Sequence, residues 1–246
     1  MYNFNFADKV VLITGGTSGI GLATAKIFSE LSAKVIVTCK TKNSFERFKI
    51  DYKNNLSDSF ILERLDLTND ISIQELIKKI DNLDILVNNA SLLKGGIEYR
   101  IENFADVVNV NLMGLMRICH AMLPKLAISK GNIVNVSSIN TKIALANSPS
   151  YSATKGGIDT LTKSMAACWS QHDVRVNAVA PGWIKGRTMN LLKKDIKEFK
   201  SYKNRIPLGR LGKPEDVANT IVFLASEKAS YISGGTIFVD GGFSIN

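Results

Sequence analysis

The sequence has few cysteines and histidines, which limits the chemistry that it can perform. Of its 246 residues, 3 are cysteine and 2 are histidine. The cysteines are far apart and form no C-x-x-C pair, so we expect free thiols, a reducing compartment and a cytoplasmic protein. The histidines lack the spacing of metal ligands. Neither a metal site nor a catalytic thiol is expected.

Long apolar runs and targeting signals are also missing. The first six residues lack the basic region and the apolar run of a signal peptide, and we expect no stretch that spans a bilayer. No linker, low-complexity run or internal repeat divides the chain, so one domain over residues 1–246 is predicted. The composition, 45% hydrophobic and 22% charged, is typical of a globular domain with a sizeable core.

Acidic residues are outnumbered by basic ones, and the formal net charge is +9. Such a balance is compatible with a nucleic acid, a membrane surface or an anionic ligand. The sequence has no helix-turn-helix, zinc-finger or RNP-like motif. We therefore expect neither a nucleic-acid nor a membrane partner. Solvated faces and an anionic substrate or cofactor explain the charge better.

Short apolar, β-branched runs alternate with helical patterns along the chain. Strand candidates begin at Val10, Val35, Phe60, Ile85, Asn132 and Val174, and a last one lies within Gly234–Gly242. This alternation predicts an α/β fold, a doubly wound parallel sheet of about seven strands with helices on both faces (Rossmann-like). Ligands of such sheets bind at the carboxyl ends of the strands. We therefore expect one crevice to be shared by the residues that follow strands, namely Gly15, Asp66, Asn88 and Ser138.

A glycine-rich turn separates the first strand from the first helix. Residues Thr14–Gly21 read T-G-G-T-S-G-I-G, in the strand–turn–helix order of a dinucleotide-binding loop. Glycines let backbone N–H groups approach a pyrophosphate, and the helix N-terminus adds partial positive charge. After the second strand, Lys40 and Lys42 stand where NAD-selective sites carry an acidic residue. A basic side chain there suits a 2′-phosphate, so NADP(H) is predicted and NAD(H) is left open.

Tyr151 and Lys155 lie one turn apart on a predicted helix that begins near Pro149. An ammonium beside a phenol favours the phenolate, so we expect the pKa of Tyr151 to fall below its free value of about 10. Such a tyrosine can act as a general acid or base near neutral pH. The same spacing is common on ordinary amphipathic helices. The interpretation therefore depends on a cofactor site in front of the pair.

Taken in order, the motifs resemble those of the short-chain dehydrogenase/reductase family, and the resemblance extends from Lys9 to Gly242. The matching elements are the turn Thr14–Gly21, D-L at Asp66, N-N-A at Asn88, Asn111, the second serine of V-S-S at Ser138, Y-x-x-x-K at Tyr151, and P-G at Pro181. The resemblance implies an NAD(P)(H)-dependent oxidoreductase that reduces a ketone to a secondary alcohol, or the reverse, without a metal. A 3-oxoacyl-[acyl-carrier-protein] substrate is the most economical expectation.

The resemblance also implies a role for each member of the catalytic set. Tyr151 exchanges a proton with the substrate oxygen, and Ser138 hydrogen-bonds that oxygen. Lys155 holds the nicotinamide ribose, and Asn111 positions Lys155 through water. The expected cofactor-binding residues are Gly15, Thr17, Ser18, Gly19, Ile20, Gly21, Lys40, Asp66, Leu67, Asn88, Ala90, Tyr151, Lys155, Pro181, Gly182, Ile184 and Thr188.

Three positions depart from the family pattern. Ser91 replaces the usual glycine after N-N-A, and Gly186 replaces the usual threonine, which leaves Thr188 two places on. Ser18 stands where NADP-type members often carry a basic residue. By resemblance, we expect a substrate lid at about residues 185–210 and a homotetramer. A sugar, steroid or secondary-metabolite ketone and a non-catalytic cofactor-binding regulator remain alternative functions.

Overall fold

The computed structural model describes residues 4–52, 60–143, 145–186 and 203–245. Its strands are β1 (Val10–Thr14), β2 (Lys34–Cys39), β3 (Phe60–Arg64), β4 (Ile85–Asn88), β5 (Asn132–Val136), β6 (Arg175–Pro181) and β7 (Thr236–Val239). Its α-helices are α1 (Gly19–Glu30), α2 (Lys42–Tyr52), α3 (Asp70–Lys78), α4 (Ile101–Val108), α5 (Gly114–Ser129), α6 (Pro149–Trp169) and α7 (Pro214–Ala225). A π-helical turn, Asn109–Met113, joins α4 to α5.

The strands form one parallel sheet in the order β3-β2-β1-β4-β5-β6-β7. The predicted doubly wound sheet of about seven strands is thereby confirmed. The strand order reverses between β1 and β4, and ligands of such sheets bind in the crevice at this point. Because Thr14 pairs with Asn88 and Asn88 pairs with Asn135, the carboxyl ends of β1, β4 and β5 lie at one edge.

Helices cover both faces of the sheet because successive strand residues point to opposite sides. Val11 and Ile13 of β1 pack on one face with Phe28 of α1 and Ile221 of α7. Leu12 packs on the other face, in the cluster that holds the core residues of α3, α5 and α6. Burial on both faces explains why the strands are nearly uninterrupted apolar runs.

The helical stretch Ile101–Ser129 is long and apolar enough to cross a membrane by length and composition alone. The expectation that no such stretch exists is wrong in this respect. Ile118, Met122 and Leu126 of this stretch are fully buried in the cluster that covers the sheet. A buried core helix of a sheet protein meets the same criterion, and this packing is that of a core helix.

Candidate active site

The glycine-rich turn approaches the end of β4 so closely that Gly15 and Gly21 leave no room for a side chain. Gly15 has a positive φ of 63°, and a Cβ there would lie 2.9 Å from the Cα of Ala90. Gly19, with φ of 55°, instead faces open space. Helix α1 begins at Gly19, and Ser18 makes no side-chain cap hydrogen bond to it. The first-turn N–H groups therefore suit the pyrophosphate of a dinucleotide, as the sequence predicts.

Thr14 and Asn89 hold this turn in place, and the sequence reasoning missed both. The Asn89 amide donates to the carbonyl oxygens of Thr14 at 3.1 Å and Gly15 at 2.9 Å. The Thr14 hydroxyl oxygen accepts from the backbone N–H groups of Asn89 and Ala90, each at 3.1 Å. The only sequence signal was the second asparagine of the N-N-A motif.

Asp66 and Lys40 meet at the carboxyl ends of β2 and β3. The Lys40 Nζ lies 3.0 Å from a carboxylate oxygen of Asp66, and both side chains are partly exposed. Thr68 donates to Asp66 through its hydroxyl at 2.7 Å and its backbone N–H at 3.0 Å. Burial alone would raise the pKa of Asp66, but these hydrogen bonds and Lys40 outweigh it and lower the pKa below its ordinary value. Asp66 is therefore an ionised acceptor at the rim expected for adenosine. The neighbouring Leu67 side chain belongs to the core.

The Asn88 side chain does not line the crevice as predicted. Its side-chain NH2 donates to the Asn135 side-chain oxygen at 2.9 Å and to the Cys119 sulfur at 3.1 Å, and all three side chains are buried. The register explains this orientation because the Asn88 and Asn135 residues are paired across β4 and β5. Only the backbone of Asn88 is available to a nucleotide.

Tyr151 lies in the first turn of α6 and points its hydroxyl at two serines. Ser138, at the end of β5, and Ser91, after β4, both hydrogen-bond the phenol. Burial raises the pKa of Tyr151, the Glu98 carboxylate raises it further, and the two serines lower it without reversing the shift. The predicted fall in the pKa of Tyr151 is therefore wrong, and the tyrosine is held in its protonated form.

Lys155 explains why the prediction failed. Its Nζ donates to the Val136 carbonyl oxygen at 2.6 Å and lies 5.4 Å from the centroid of the Tyr151 ring. The side chain is 2% exposed, and burial lowers its pKa to about 7. A lysine that is partly neutral at pH 7 exerts little pull on the phenol proton. The helical spacing brings Tyr151 and Lys155 together as expected. The predicted fall in the pKa of Tyr151, however, required a fully charged Lys155, and burial makes this lysine partly neutral at pH 7.

Asn111 lies in the π-helical turn and is 2% exposed. Its side-chain oxygen accepts from the Leu92 backbone N–H at 2.7 Å, and its side-chain NH2 donates to the Leu92 backbone carbonyl at 2.9 Å. The same amide lies 3.3 Å from the Thr154 hydroxyl, which donates to the Tyr151 carbonyl. Asn111 thus connects the loop after β4 to α6. Its predicted relay to Lys155 stays a prediction.

Asn140 supports Ser138 from the next turn of chain, a residue that the sequence reasoning missed. The Ser138 hydroxyl donates to the Asn140 side-chain oxygen at 3.3 Å and accepts from the Asn140 N–H at 3.2 Å. The Asn140 amide donates to the Ser152 hydroxyl at 3.1 Å. The hydroxyl of Ser138 is therefore fixed beside Tyr151 by a buried polar group.

The last predicted cofactor segment follows β6. Gly182 is required because a Cβ there would lie 2.7 Å from the Cα of Asp240. Ile184 forms an isolated parallel bridge with Gly212, which fixes its backbone near the sheet edge. Thr188 and most of the predicted lid at about 185–210 lie outside the described residues.

Comparisons with known proteins agree with this geometry. Residues 15–244 match the family model described as enoyl-(acyl carrier protein) reductase. The 3-oxoacyl-[acyl-carrier-protein] reductase FabG of Thermotoga maritima is 36% identical, and the alignment covers 96% of this chain and 98% of that protein. The chain belongs to the short-chain dehydrogenase/reductase family. It is an oxidoreductase that interconverts a ketone and a secondary alcohol with a nicotinamide cofactor.

Other members of the short-chain dehydrogenase/reductase family match over similar lengths. The cis-4-hydroxycyclohexanecarboxylate dehydrogenase of Sinomonas cyclohexanicum is 36% identical over 97% of this chain and 98% of its own. A crystal structure described provisionally as a gluconate dehydrogenase of Agrobacterium tumefaciens superposes with a TM-score of 0.90 at 30% identity, covering 99% of both chains. The family fold therefore accommodates several substrates, and the substrate of this chain has to be argued separately.

Ser91 gives this member of the family an additional hydroxyl at its tyrosine. Because the Ser91 hydrogen bond lowers the pKa of Tyr151, Ser91→Ala is expected to raise that pKa further above its ordinary value. Ketone reduction needs the protonated phenol, so the alkaline limb of its pH–rate profile should move to higher pH. Alcohol oxidation, which needs the phenolate, should be slower at a fixed pH between 7 and 9.

The matched control for this prediction is Ser91→Thr, which keeps a hydroxyl at the same position. Its alkaline limb should stay within a few tenths of a pH unit of the wild type. An unmoved limb in Ser91→Ala, or an equal shift in Ser91→Thr, would contradict the role given to the Ser91 hydroxyl.

Proposed function

We propose that the protein is an NADPH-dependent 3-oxoacyl-[acyl-carrier-protein] reductase with Tyr151 as its proton donor. The observation that carries the reaction type is the placement of the Tyr151 phenol beside the Ser138 hydroxyl, at the sheet edge that also holds the glycine-rich turn. The 3-oxoacyl substrate is supported by relatives of that name, 36% identical in Thermotoga maritima and in Rickettsia typhi. The net charge of +9 suits an acidic carrier.

The chain supplies the proton and the hydrogen bonds of the reaction. A bound nicotinamide cofactor would supply hydride for the substrate carbon, and negative charge would then develop on the substrate oxygen. Tyr151 donates its phenolic proton to that oxygen, and the Ser138 hydroxyl, once rotated away from the Asn140 side-chain oxygen, donates a hydrogen bond to it. Donors fixed in advance stabilise such charge far better than water does. Lys155 is placed to hold the nicotinamide ribose and Asp66 the adenosine.

We propose that Lys40 binds the 2′-phosphate of NADPH. Its Nζ is partly exposed at the rim and already lies 3.0 Å from Asp66. We expect Lys40→Ala to raise the Kd for NADPH about tenfold, because a charge-assisted hydrogen bond at an exposed site is lost. The Kd for NADH should change less than twofold, and both values can be measured by nicotinamide fluorescence. Lys34→Ala, at the opposite end of β2, is the control, and an equal loss for NADPH and NADH in Lys40→Ala would contradict the assignment.

The assembly, compartment and domain organisation are also proposed. We infer a homotetramer in the cytoplasm, formed by one domain that spans the chain. The described elements share one sheet, which supports the single domain. The three cysteines are free thiols, which supports a reducing compartment. Light scattering on the purified protein would test the tetramer, since the monomer mass is 26.9 kDa.

The deciding experiment follows NADPH oxidation by the purified protein with an acetoacetyl thioester, with NADH in parallel. Turnover with NADPH and little with NADH supports the proposal in full. Equal turnover with both cofactors would retain the substrate and overturn the NADPH preference. Turnover only with a keto sugar acid, a steroid ketone or another ketone of a wider panel would overturn the 3-oxoacyl substrate. NADPH binding without any turnover would favour a non-catalytic regulator.

A further inference from the structure

Glu98 is a fully buried carboxylate close to the catalytic tyrosine. It follows the short 3-10 turn Gly95–Ile97, and its exposed fraction is 0%. One carboxylate oxygen accepts from the Ser150 hydroxyl at 2.6 Å and the Tyr151 N–H at 2.9 Å. The other oxygen accepts from the N–H groups of Lys94 at 2.9 Å and Gly95 at 3.1 Å. Every contact of this carboxylate is made by a donor, which is the arrangement that an ionised group requires.

The carboxylate stands where the catalytic helix lacks a cap of its own. Ser148, at the N-cap position of α6, makes no side-chain cap hydrogen bond, and Pro149 has no N–H to offer. The Tyr151 N–H is one of the first-turn donors that a helix cannot satisfy internally. Glu98, 53 positions away in the sequence, accepts from that donor. Its negative charge also lies at the positive end of the helix dipole.

The same carboxylate fixes the loop on the opposite side. Its bonds to Lys94 and Gly95 close a tight turn in which Gly95 has a φ of 62°. This turn leads from Ser91, which contacts the Tyr151 phenol, to α4. One buried side chain therefore connects the loop after β4 with the first turn of α6.

We propose that Glu98 is a positioning residue for the reaction, whose carboxylate holds Tyr151 at the start of α6 against the loop that carries Ser91. The proposal concerns the site given under the proposed function but does not depend on the identity of the substrate.

The position of Glu98 has an electrostatic consequence for the reaction. Two titratable side chains lie close to Tyr151: Glu98, whose carboxylate accepts from the Tyr151 backbone N–H, and Lys155, whose Nζ lies 5.4 Å from the ring centroid. The carboxylate raises the pKa of Tyr151, and the buried lysine is partly neutral near pH 7. Glu98 therefore favours the protonated phenol, which is the form that reduces a ketone.

Glu98→Gln tests the proposal because it keeps the shape and removes the charge. An amide in this position must direct its NH2 group at one of the two donor pairs. If the NH2 group faces Ser150 and Tyr151, the Tyr151 N–H loses its acceptor. If the NH2 group faces the loop, it lies against the N–H groups of Lys94 and Gly95, which also lose their acceptor. We expect kcat to fall at least tenfold at pH 7 while the Kd for NADPH stays within twofold. The pKa of Tyr151 should fall, since the negative charge of the Glu98 carboxylate is lost.

The pKa should be measured directly, by NMR of protein labelled with 13C at the tyrosine Cζ, with Tyr151→Phe to assign the signal. Glu102→Gln, at an exposed position of α4, is the control and should leave kcat and the tyrosine titration unchanged. Ser150→Ala keeps the carboxylate on the Tyr151 N–H and should lower kcat less than Glu98→Gln does.

The outcomes separate this proposal from the proposed function. If the wild type fails to reduce an acetoacetyl thioester, the substrate proposal fails, but the Tyr151 titration still decides the role of Glu98. A Tyr151 pKa that does not move in Glu98→Gln would overturn the role, whatever happens to kcat. An equal loss of NADPH binding and kcat would indicate a general structural role and would also overturn it.

Discussion

Tyr151→Phe is expected to lower kcat for ketone reduction by about 10²- to 10⁴-fold, the usual contribution of a general acid. Phenylalanine keeps the ring that lies beneath Lys155 and removes only the hydroxyl that Ser138 and Ser91 contact. The backbone bond from Tyr151 to Glu98 is also kept, so α6 should begin as before. The measurement is steady-state NADPH oxidation, together with the Kd for NADPH by fluorescence.

The two measurements discriminate between chemistry and folding. The Kd for NADPH should rise only severalfold, because Tyr151 is one of many expected cofactor-binding residues and only its hydroxyl is lost. Tyr99→Phe is the matched control, since Tyr99 is 73% exposed, and it should retain wild-type kcat. If Tyr151→Phe kept more than a tenth of the wild-type kcat, Tyr151 would not be the proton donor. The reaction would then need another acid in the crevice.

The fold could be predicted from the sequence because the inner strands of the sheet are buried on both faces. Short, nearly continuous apolar runs such as Val10–Thr14 indicate strands that are covered on both faces. The helical patterns between these runs indicate crossover helices and therefore a parallel sheet. Helix α2, Lys42–Tyr52, was not predicted. Phe48 is its one described buried residue, so its sequence carries little of the apolar periodicity that marks a helix.

The arrangement of the site was predictable in part. The sequence places Ser138, Tyr151 and the glycine-rich turn at strand ends or on a helix, and strand order then brings them together. Solvation is not encoded in spacing, however. The pKa of Tyr151 depends on how deeply Lys155 and Glu98 are buried, and burial follows from packing by distant segments. A helical pattern therefore predicts which titratable groups are neighbours, but not whether one raises or lowers the pKa of the other.

Contacts between distant residues account for what was missed. Glu98 carries no motif of its own, and its partners at Ser150 and Tyr151 belong to a helix that begins beyond β5. Asn88 was assigned to the crevice because it follows a strand, but its side chain turns to Asn135 on the next strand. In both cases the decisive partner comes from a long-range pairing, which a single sequence does not specify.

Lys155→Met is expected to abolish ketone reduction and yet to stabilise the fold. The ammonium is 2% exposed, and burial lowers its pKa from 10.5 to about 7. Because one pKa unit corresponds to about 1.4 kcal/mol, keeping this lysine buried costs on the order of 3–5 kcal/mol at pH 7 and below. Methionine removes this cost but leaves the Val136 carbonyl without its donor, which costs about 1–3 kcal/mol. We therefore expect a net gain of about 1–3 kcal/mol and a Tm higher by several degrees.

The pH dependence of this gain distinguishes it from better packing. Between pH 7 and 10.5 the unfolded chain holds the Lys155 proton and the folded chain does not, so the wild type becomes more stable as the pH rises through this window. The Tm difference between Lys155→Met and the wild type should be largest at pH 7 or below and should shrink toward pH 10.

Lys163→Met is the control, because Lys163 is exposed on the same helix and pairs with Asp159 at 3.3 Å. The Tm of Lys163→Met should stay close to that of the wild type at every pH. A Tm for Lys155→Met below that of the wild type at pH 7 would mean that the buried ammonium stabilises the fold. The stability cost assigned to Lys155 would then be wrong.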